Sequence, residues 1–318
     1  MFLFILKRLS VGVGLLFIVV TLVFIAVQTV PGDPAMIVLI GSGNTSEITP
    51  EALQATREQL GLDQPILVQY VTYLGGLLTG NLGMSFENRQ PVTDLIAARL
   101  PNTLELIAIV AVVSIAAGIA LGAWAAQRRG AVNSGVTFLT SLGISAPVYV
   151  LGTVLVFVFA VTLRVLPAGG FTSWADDPVR HLQLLILPVI AVSVGLTAVI
   201  ARVTRASVNE TSQQDWVRTA RSWGLQEPVV FRTAVLRNSL TPVATVAALE
   251  IGILLGSTVL VERVFSWPGL STLLVDGVAA RDYPVIQGVI IVTAALFIVI
   301  NILVDVLYGV LDPRARQS

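Results

Sequence analysis

Apolar residues fall into long unbroken runs in this chain, and the polar residues gather between them. Roughly 20 apolar residues, at about 1.5 Å of rise each, cross the hydrocarbon core of a bilayer. Six stretches meet that length: Leu9–Val30, Thr103–Ala126, Val136–Leu163, Gln183–Ala201, Leu240–Val261 and Val285–Val310. The first follows Lys7 and Arg8, which is also how a secretory leader begins. Its apolar run is too long for a leader and no small-residue cleavage site follows, so a retained anchor is expected.

The polar stretch between the first two spans, Pro31 to Asn102, is too long for a turn and carries helix punctuation of its own. Thr49 stands at an N-cap position, Pro50 at the first helical position and Gly61 at the stop after "EALQATREQL". A second helix is expected from about Pro65 to just before "TGNLG". A third, "VTDLIAARL", places Val92, Leu95, Ile96 and Leu100 near one face and is expected to lie along the interface before span two. The pattern thus predicts residues 1–30 as an N-terminal transmembrane helix, 31–102 as a small helical cap and 103–318 as a five-helix core. The fold class is an all-α membrane protein with six transmembrane helices.

Composition agrees and narrows the chemistry. The 318 residues are 55% hydrophobic and 12% charged, against about 25% charged in soluble domains. The formal net charge is zero, so overall charge points to no nucleic-acid partner. The side on which the charges fall is more informative. Lys7, Arg8, Arg128, Arg129, Arg202, Arg205, Arg218, Arg221, Arg232, Arg237, Arg314 and Arg316 fall on one side, and only Arg57, Arg89, Arg99, Arg164, Arg180, Arg263 and Arg281 on the other. Positive charge favours the cytoplasm, which predicts both termini inside and the 31–102 cap outside. There is no cysteine, so thiol catalysis, disulfides and Cys-ligated zinc are excluded. One histidine, His181, cannot make a His-rich metal site. The single lysine, Lys7, lies in no G-x-x-x-x-G-K-[ST] motif, so the chain is not itself a P-loop ATPase.

Several polar or small residues interrupt the spans. Gly118/Gly122 and Gly252/Gly256 are G-x-x-x-G pairs that let helices approach closely, with packing inside the chain the favoured reading. Ser145-Ala146-Pro147 is expected to bend span three. Glu250 lies near the middle of span five, where a charge costs on the order of 3 kcal/mol and must face protein or water. It is read either as lining a translocation pathway or as a helix-to-helix hydrogen bond to Asn301. Asp176, Asp177 and His181 share a loop before span four, where simple solvation is the expected state. No nucleophile–base pair or metal cluster is evident, so no catalytic residue is assigned and the chain is expected not to be an enzyme.

One loop, 202–239, is unlike the others. "RTARSWGLQEPVVFRTAVLRNSLTP", from Arg218 to Pro242, has the spacing of two short helices joined at a glycine. Asp215 to Trp223 reads as the first helix, with Arg218 and Arg221 three apart on one face. Gly224 allows the chain to reverse cheaply. Leu225 to Asn238 reads as the second, and Thr241-Pro242 as the lead into span five. An exposed arginine-bearing knob of this kind suits docking into a cleft of another protein.

These residues resemble the cytoplasmic "EAA" loop of binding-protein-dependent ABC importer permeases, in their peptide branch: "DWVRTARSWGL…LRNSLTP" is the stretch concerned. Other stretches are similar in the same order, namely "VPGDPA", "REQLGLDQPILVQYVTYLGGLLTGNLGMS", "VERVFSWPGL…RDYPVIQG" and "NILVDVLYGVLDPRAR". Trp216 and Trp223 stand where the family often has tyrosine and lysine. The resemblance implies a type I ABC importer permease fold in a bacterial inner membrane. It assigns Arg218, Thr219, Ala220, Arg221, Gly224 and Leu225 to a coupling helix and turn seated in a separate ATPase. It also implies a second homologous permease subunit, two ABC ATPase subunits carrying ATP and Mg, an extracytoplasmic substrate-binding protein and surrounding membrane lipid as partners, with no nucleic acid and no cofactor bound by this chain. The implied cargo is dipeptides or oligopeptides, with nickel chelates or other small molecules as the alternative within the family. A secondary transporter driven by an ion gradient through Glu250 is the alternative outside it.

Overall fold

The structure, a computed structural model, describes residues 2–30, 32–41, 49–128 and 130–311. These form twelve helices: α1 (Phe2–Thr29), α2 (Pro34–Gly41), α3 (Pro50–Gln59), α4 (Ile66–Leu78), α5 (Val92–Ala126), α6 (Ala131–Ser145), α7 (Val148–Thr162), α8 (Pro178–Ser212), α9 (Asp215–Ser222), α10 (residues 227–264), α11 (Leu270–Ala280) and α12 (Tyr283–Leu311). Among the described residues the β pairing is confined to a single bridge between Met84 and Pro91. Helices α1, α5, α8 and α12 are each long and apolar enough to cross a membrane. Two further spans are bent, which brings the number to six.

The first bend is the one expected at Ser145-Ala146-Pro147, where α6 and α7 meet at 104°. Ala146 is extended, with φ −78° and ψ 121°, as steric conflict with a following proline demands. The second is a 54° turn in α10 between Leu254 and Thr258, which no proline marks. Other prolines were misleading. The "VTDLIAARL" segment is not a separate interfacial helix: α5 runs through Pro101 without a break. Pro101 forfeits only its own hydrogen bond to the Ala97 carbonyl, and apolar packing on both sides holds the helix together. Pro242 likewise sits inside α10 and does not precede it. Thr49 caps α3 as expected, its hydroxyl accepting from the Ala52 amide at 3.2 Å.

The chain divides into two compact units. One comprises Lys7–Asn102 and Pro268–Ile298. Its core joins Val92 and Ile96 of α5 to Leu270 and Leu273 of α11 and to Val285 and Val289 of α12. Phe24 of α1 packs on Tyr70 and Tyr73 of α4, with ring centroids 5.2 and 5.6 Å apart. Asp282, fully buried, accepts hydrogen bonds from the Ser85 hydroxyl at 2.5 Å and the Glu87 amide at 3.3 Å, fixing the 83–91 loop beside α12.

The other unit comprises Thr103–Trp267 with the segments at the two chain ends. Helix α8 is its axis, apolar on nearly every side and buried over most of its length, as a helix enclosed by others must be. Gly118 and Gly122 of α5 let α8 come close. A Cβ at Gly118 would stand 2.6 Å from Ile200 Cγ2, and one at Gly122 2.4 Å from the Ala201 carbonyl oxygen. This G-x-x-x-G pair is therefore intramolecular packing. Gly256 has nothing within 4 Å of its would-be Cβ.

His181 does not lie in a solvated loop. Asp177 caps α8, accepting from the Arg180 amide at 3.0 Å, so the helix starts five residues before the apolar run and takes His181 into it. The imidazole is fully buried against Trp174, Phe171 and Trp267. Its Nδ1 donates to the Thr172 carbonyl at 2.6 Å, since a carbonyl only accepts, and Nε2 meets Glu105 Oε1 at 3.0 Å. Trp174 Nε1 donates to the same Glu105 oxygen at 2.6 Å. Asp176, Asp177 and His181 are thus spent on separate structural tasks, and no metal-binding cluster occurs among the described residues.

The glycine contacts make a clean test. Gly122→Ala would press a methyl group into the α8 backbone and is expected to cost about 1–3 kcal/mol. Gly135→Ala, where the added Cβ meets nothing within 4 Å, is expected to be neutral or mildly stabilising. Thermal unfolding of both variants in detergent, read by circular dichroism, measures the difference.

Candidate functional site

The loop at 213–226 folds into a hairpin of helices because its sequence supplies one apolar stripe and one left-handed turn. Apart from the exposed Trp216, helix α9 is polar except for Val217 and Ala220, which are three apart and face the same way. Val217 is fully buried with Val208 of α8 and Val230 and Val235 of α10, and Ala220 packs on that cluster. Gly224 closes the turn at φ +79°. Nothing lies within 4 Å of its would-be Cβ, so the requirement there is backbone conformation and not space. A residue with a Cβ pays about 1–2 kcal/mol in that region. The chain then enters α10 at Glu227 and continues without interruption into the fifth span. The second arm is therefore the start of that span itself and not a separate short helix. Its first full stretch, Val230–Leu236, is wound with the wider π spacing, a local form found often at functional sites.

The two arginines expected to share a face have different work. Arg221 reaches back across the turn: Nε and Nη2 donate to the two carboxylate oxygens of Glu227 at 3.0 and 2.8 Å, and Nη1 to the Ser212 carbonyl at 3.4 Å. The hydrogen bonds it donates to Glu227 hold this guanidinium further toward its charged form. Arg218 points outward, its side chain 70% exposed, with a single 3.3 Å contact to Asp215. Trp223 is 77% exposed, and Leu225 and Trp216 of the same hairpin are exposed apolar side chains as well. The Thr219 hydroxyl is turned back to the Asp215 carbonyl at 3.0 Å. Of the six residues singled out from the sequence, Arg218 and Leu225 face solvent, Gly224 shapes the turn, and Ala220 and Arg221 hold the hairpin together. Glu227, the partner of Arg221, was not singled out, although a carboxylate just past the turn was the available signal.

Asn301 lies half-buried on α12. Glu250 is half-buried on α10, four residues before the bend at Leu254.

Four long apolar helices and two bent ones, with a glycine-closed hairpin leading into the fifth span, define the class: a multi-span helical membrane protein. Residues 118–317 match the family described as binding-protein-dependent transport system inner membrane component, and residues 1–107 its N-terminal counterpart. The chain belongs to that family. It is 40% identical over 315 residues to a putative peptide transport system permease protein of Brucella abortus (strain 2308), covering 99% of each chain. It is 41% identical over 317 residues to a glutathione transport system permease protein of Escherichia coli O6:H1, again over 99% of each. In fold it resembles a crystal structure of an amino acid ABC transporter with histidines, with TM-score 0.52 and 16% identity over 70% of this chain and 94% of that one.

Two fastenings hold the hairpin, and their sizes differ. Val217→Ala removes two buried methyl groups and is expected to cost about 2 kcal/mol. The Arg221–Glu227 pair is exposed, so Arg221→Ala is expected to cost about 1 kcal/mol or less. Hydrogen exchange of amides 215–223 should accelerate more in the valine variant than in the arginine variant.

Proposed function

We propose that this chain is the permease subunit of an ATP-driven importer of short peptides, forming half of the translocation pathway. The reading is supported above all by near-full-length similarity to proteins named as peptide and glutathione permeases. The second permease subunit, two ATPase subunits carrying ATP and Mg, and an extracytoplasmic binding protein are the partners this reading requires. In it, the chain crosses the inner membrane six times with both termini in the cytoplasm.

The hairpin supplies the mechanism. Its outward surface of Arg218, Trp223 and Leu225 offers one cation amid apolar area, which fits a groove on an ATPase. Closure of the ATPases on ATP draws the hairpins of the two permease subunits together. Because α10 is continuous from the hairpin into the fifth span, displacement of α9 is delivered to that span as a lever. The spans then open toward the binding protein, and hydrolysis returns them. Only a difference in affinity between the two arrangements can drive such a shift. Glu250 and Asn301 are the candidates for the pathway itself, Glu250 because a half-buried intramembrane carboxylate is retained at a cost.

Replacing Arg218, Trp223 and Leu225 together by alanine should abolish co-purification of the ATPases and reduce ATP-dependent peptide uptake to background, while the variant still folds. Uptake and co-purification at wild-type levels would remove the docking role. Uptake by this chain reconstituted alone, and abolished by an uncoupler, would replace the whole reading with ion-gradient transport.

A further inference from the structure

A cavity of about 920 Å³ opens beside the hairpin, and its lining, which includes Arg128, Arg221 and Arg232 against one carboxylate, is cationic. Arg128, just past the end of α5, and Arg232, in the π-wound start of α10, both line it. Neither guanidinium has a hydrogen-bond or ion-pair partner among the described residues. Glu227 is the carboxylate in the lining, and both of its oxygens are already held by Arg221. The amide side chains of Asn209 and Gln213 add neutral donors, while Val208 and Phe231 contribute apolar wall.

We infer that this cavity binds a phosphate-bearing anion through Arg128 and Arg232. Two unneutralised guanidiniums, one just past the end of α5 and one on α10, lining one space with amide donors, match the several oxygens of a phosphate, which arginine can engage two at a time. A carboxylate ligand would use fewer of those donors. The same phosphate chemistry has two sources, a phospholipid headgroup or a soluble phosphate. The apolar run of α5 ends at Ala126, two residues before Arg128, so the cavity lies at the depth where a span gives way to the headgroup layer. The apolar wall gives a glycerol backbone something to lie against. Occupancy would tie the end of α5 to the start of α10 and stiffen the base of the hairpin.

The purified full chain, stripped of lipid in neutral detergent, is titrated separately with phosphatidylglycerol, phosphatidylcholine and inorganic phosphate, and bound mass is read by native mass spectrometry. Phosphatidylglycerol is expected to bind at least about tenfold more tightly than phosphatidylcholine. The preference should vanish in Arg128→Gln/Arg232→Gln, survive in part in Arg128→Lys/Arg232→Lys, and persist in the surface control Arg180→Gln. Saturation by inorganic phosphate, lost in the glutamine variant, would assign the site to a soluble phosphate and keep the proposal. If the glutamine variant, folded by circular dichroism, binds all three probes as the unsubstituted chain does, the site is overturned.

Discussion

A short helix on a loop can deliver force only if it is fastened to the elements it is meant to move, and here the fastening is the burial of Val217. Four valines from three helices, Val208, Val217, Val230 and Val235, exclude water together. Each contributes about 1.5 kcal/mol or more by leaving it. The polar links around them are exposed and individually weak. Without this cluster α9 would be a tethered flap whose position told the spans nothing. With it, α9 is joined to the end of α8 and to the beginning of α10.

The same economy governs the transmembrane part of that unit. Helix α8 is enclosed because its neighbours present glycine where they cross it: Gly118 and Gly122 on α5, and Gly143 on α6, whose would-be Cβ lies 3.1 Å from Ala198 Cβ. Apolar side chains gain nothing from leaving lipid for protein, so close backbone approach does the holding. Near the other end of α8 the loop at 170–177 is secured by polar contacts. His181, Glu105, Thr172 and Trp174 satisfy one another beneath Trp267, where an unpaired polar group would be costly.

Local signals in the sequence were reliable and long-range ones were silent. Thr49, Gly224 and the Ser-Ala-Pro corner act on backbone within a few residues of themselves, and each was legible. The "VTDLIAARL" segment and Pro242 misled because the sequence does not say whether packing makes good the hydrogen bond that a proline such as Pro101 or Pro242 removes. His181 seemed solvated because its partners, Glu105 and Trp267, are 76 and 86 positions away. Arg221 also spends its guanidinium on Glu227, six residues on, a pairing that the motif alone did not single out. The bend in α10 has no proline to announce it, and its proximity to Glu250 was invisible in one dimension.

The central claim is that the hairpin and the end of α8 move as one body. The chain contains no native cysteine, so spin labels at Trp223→Cys and Ala206→Cys report a single intramolecular distance by double electron–electron resonance. In the transporter assembled with its ATPases, the account predicts a narrow distribution that is unchanged by ATP. A distribution that broadens or shifts on nucleotide addition would show the hairpin swinging free of its span, and would contradict the account.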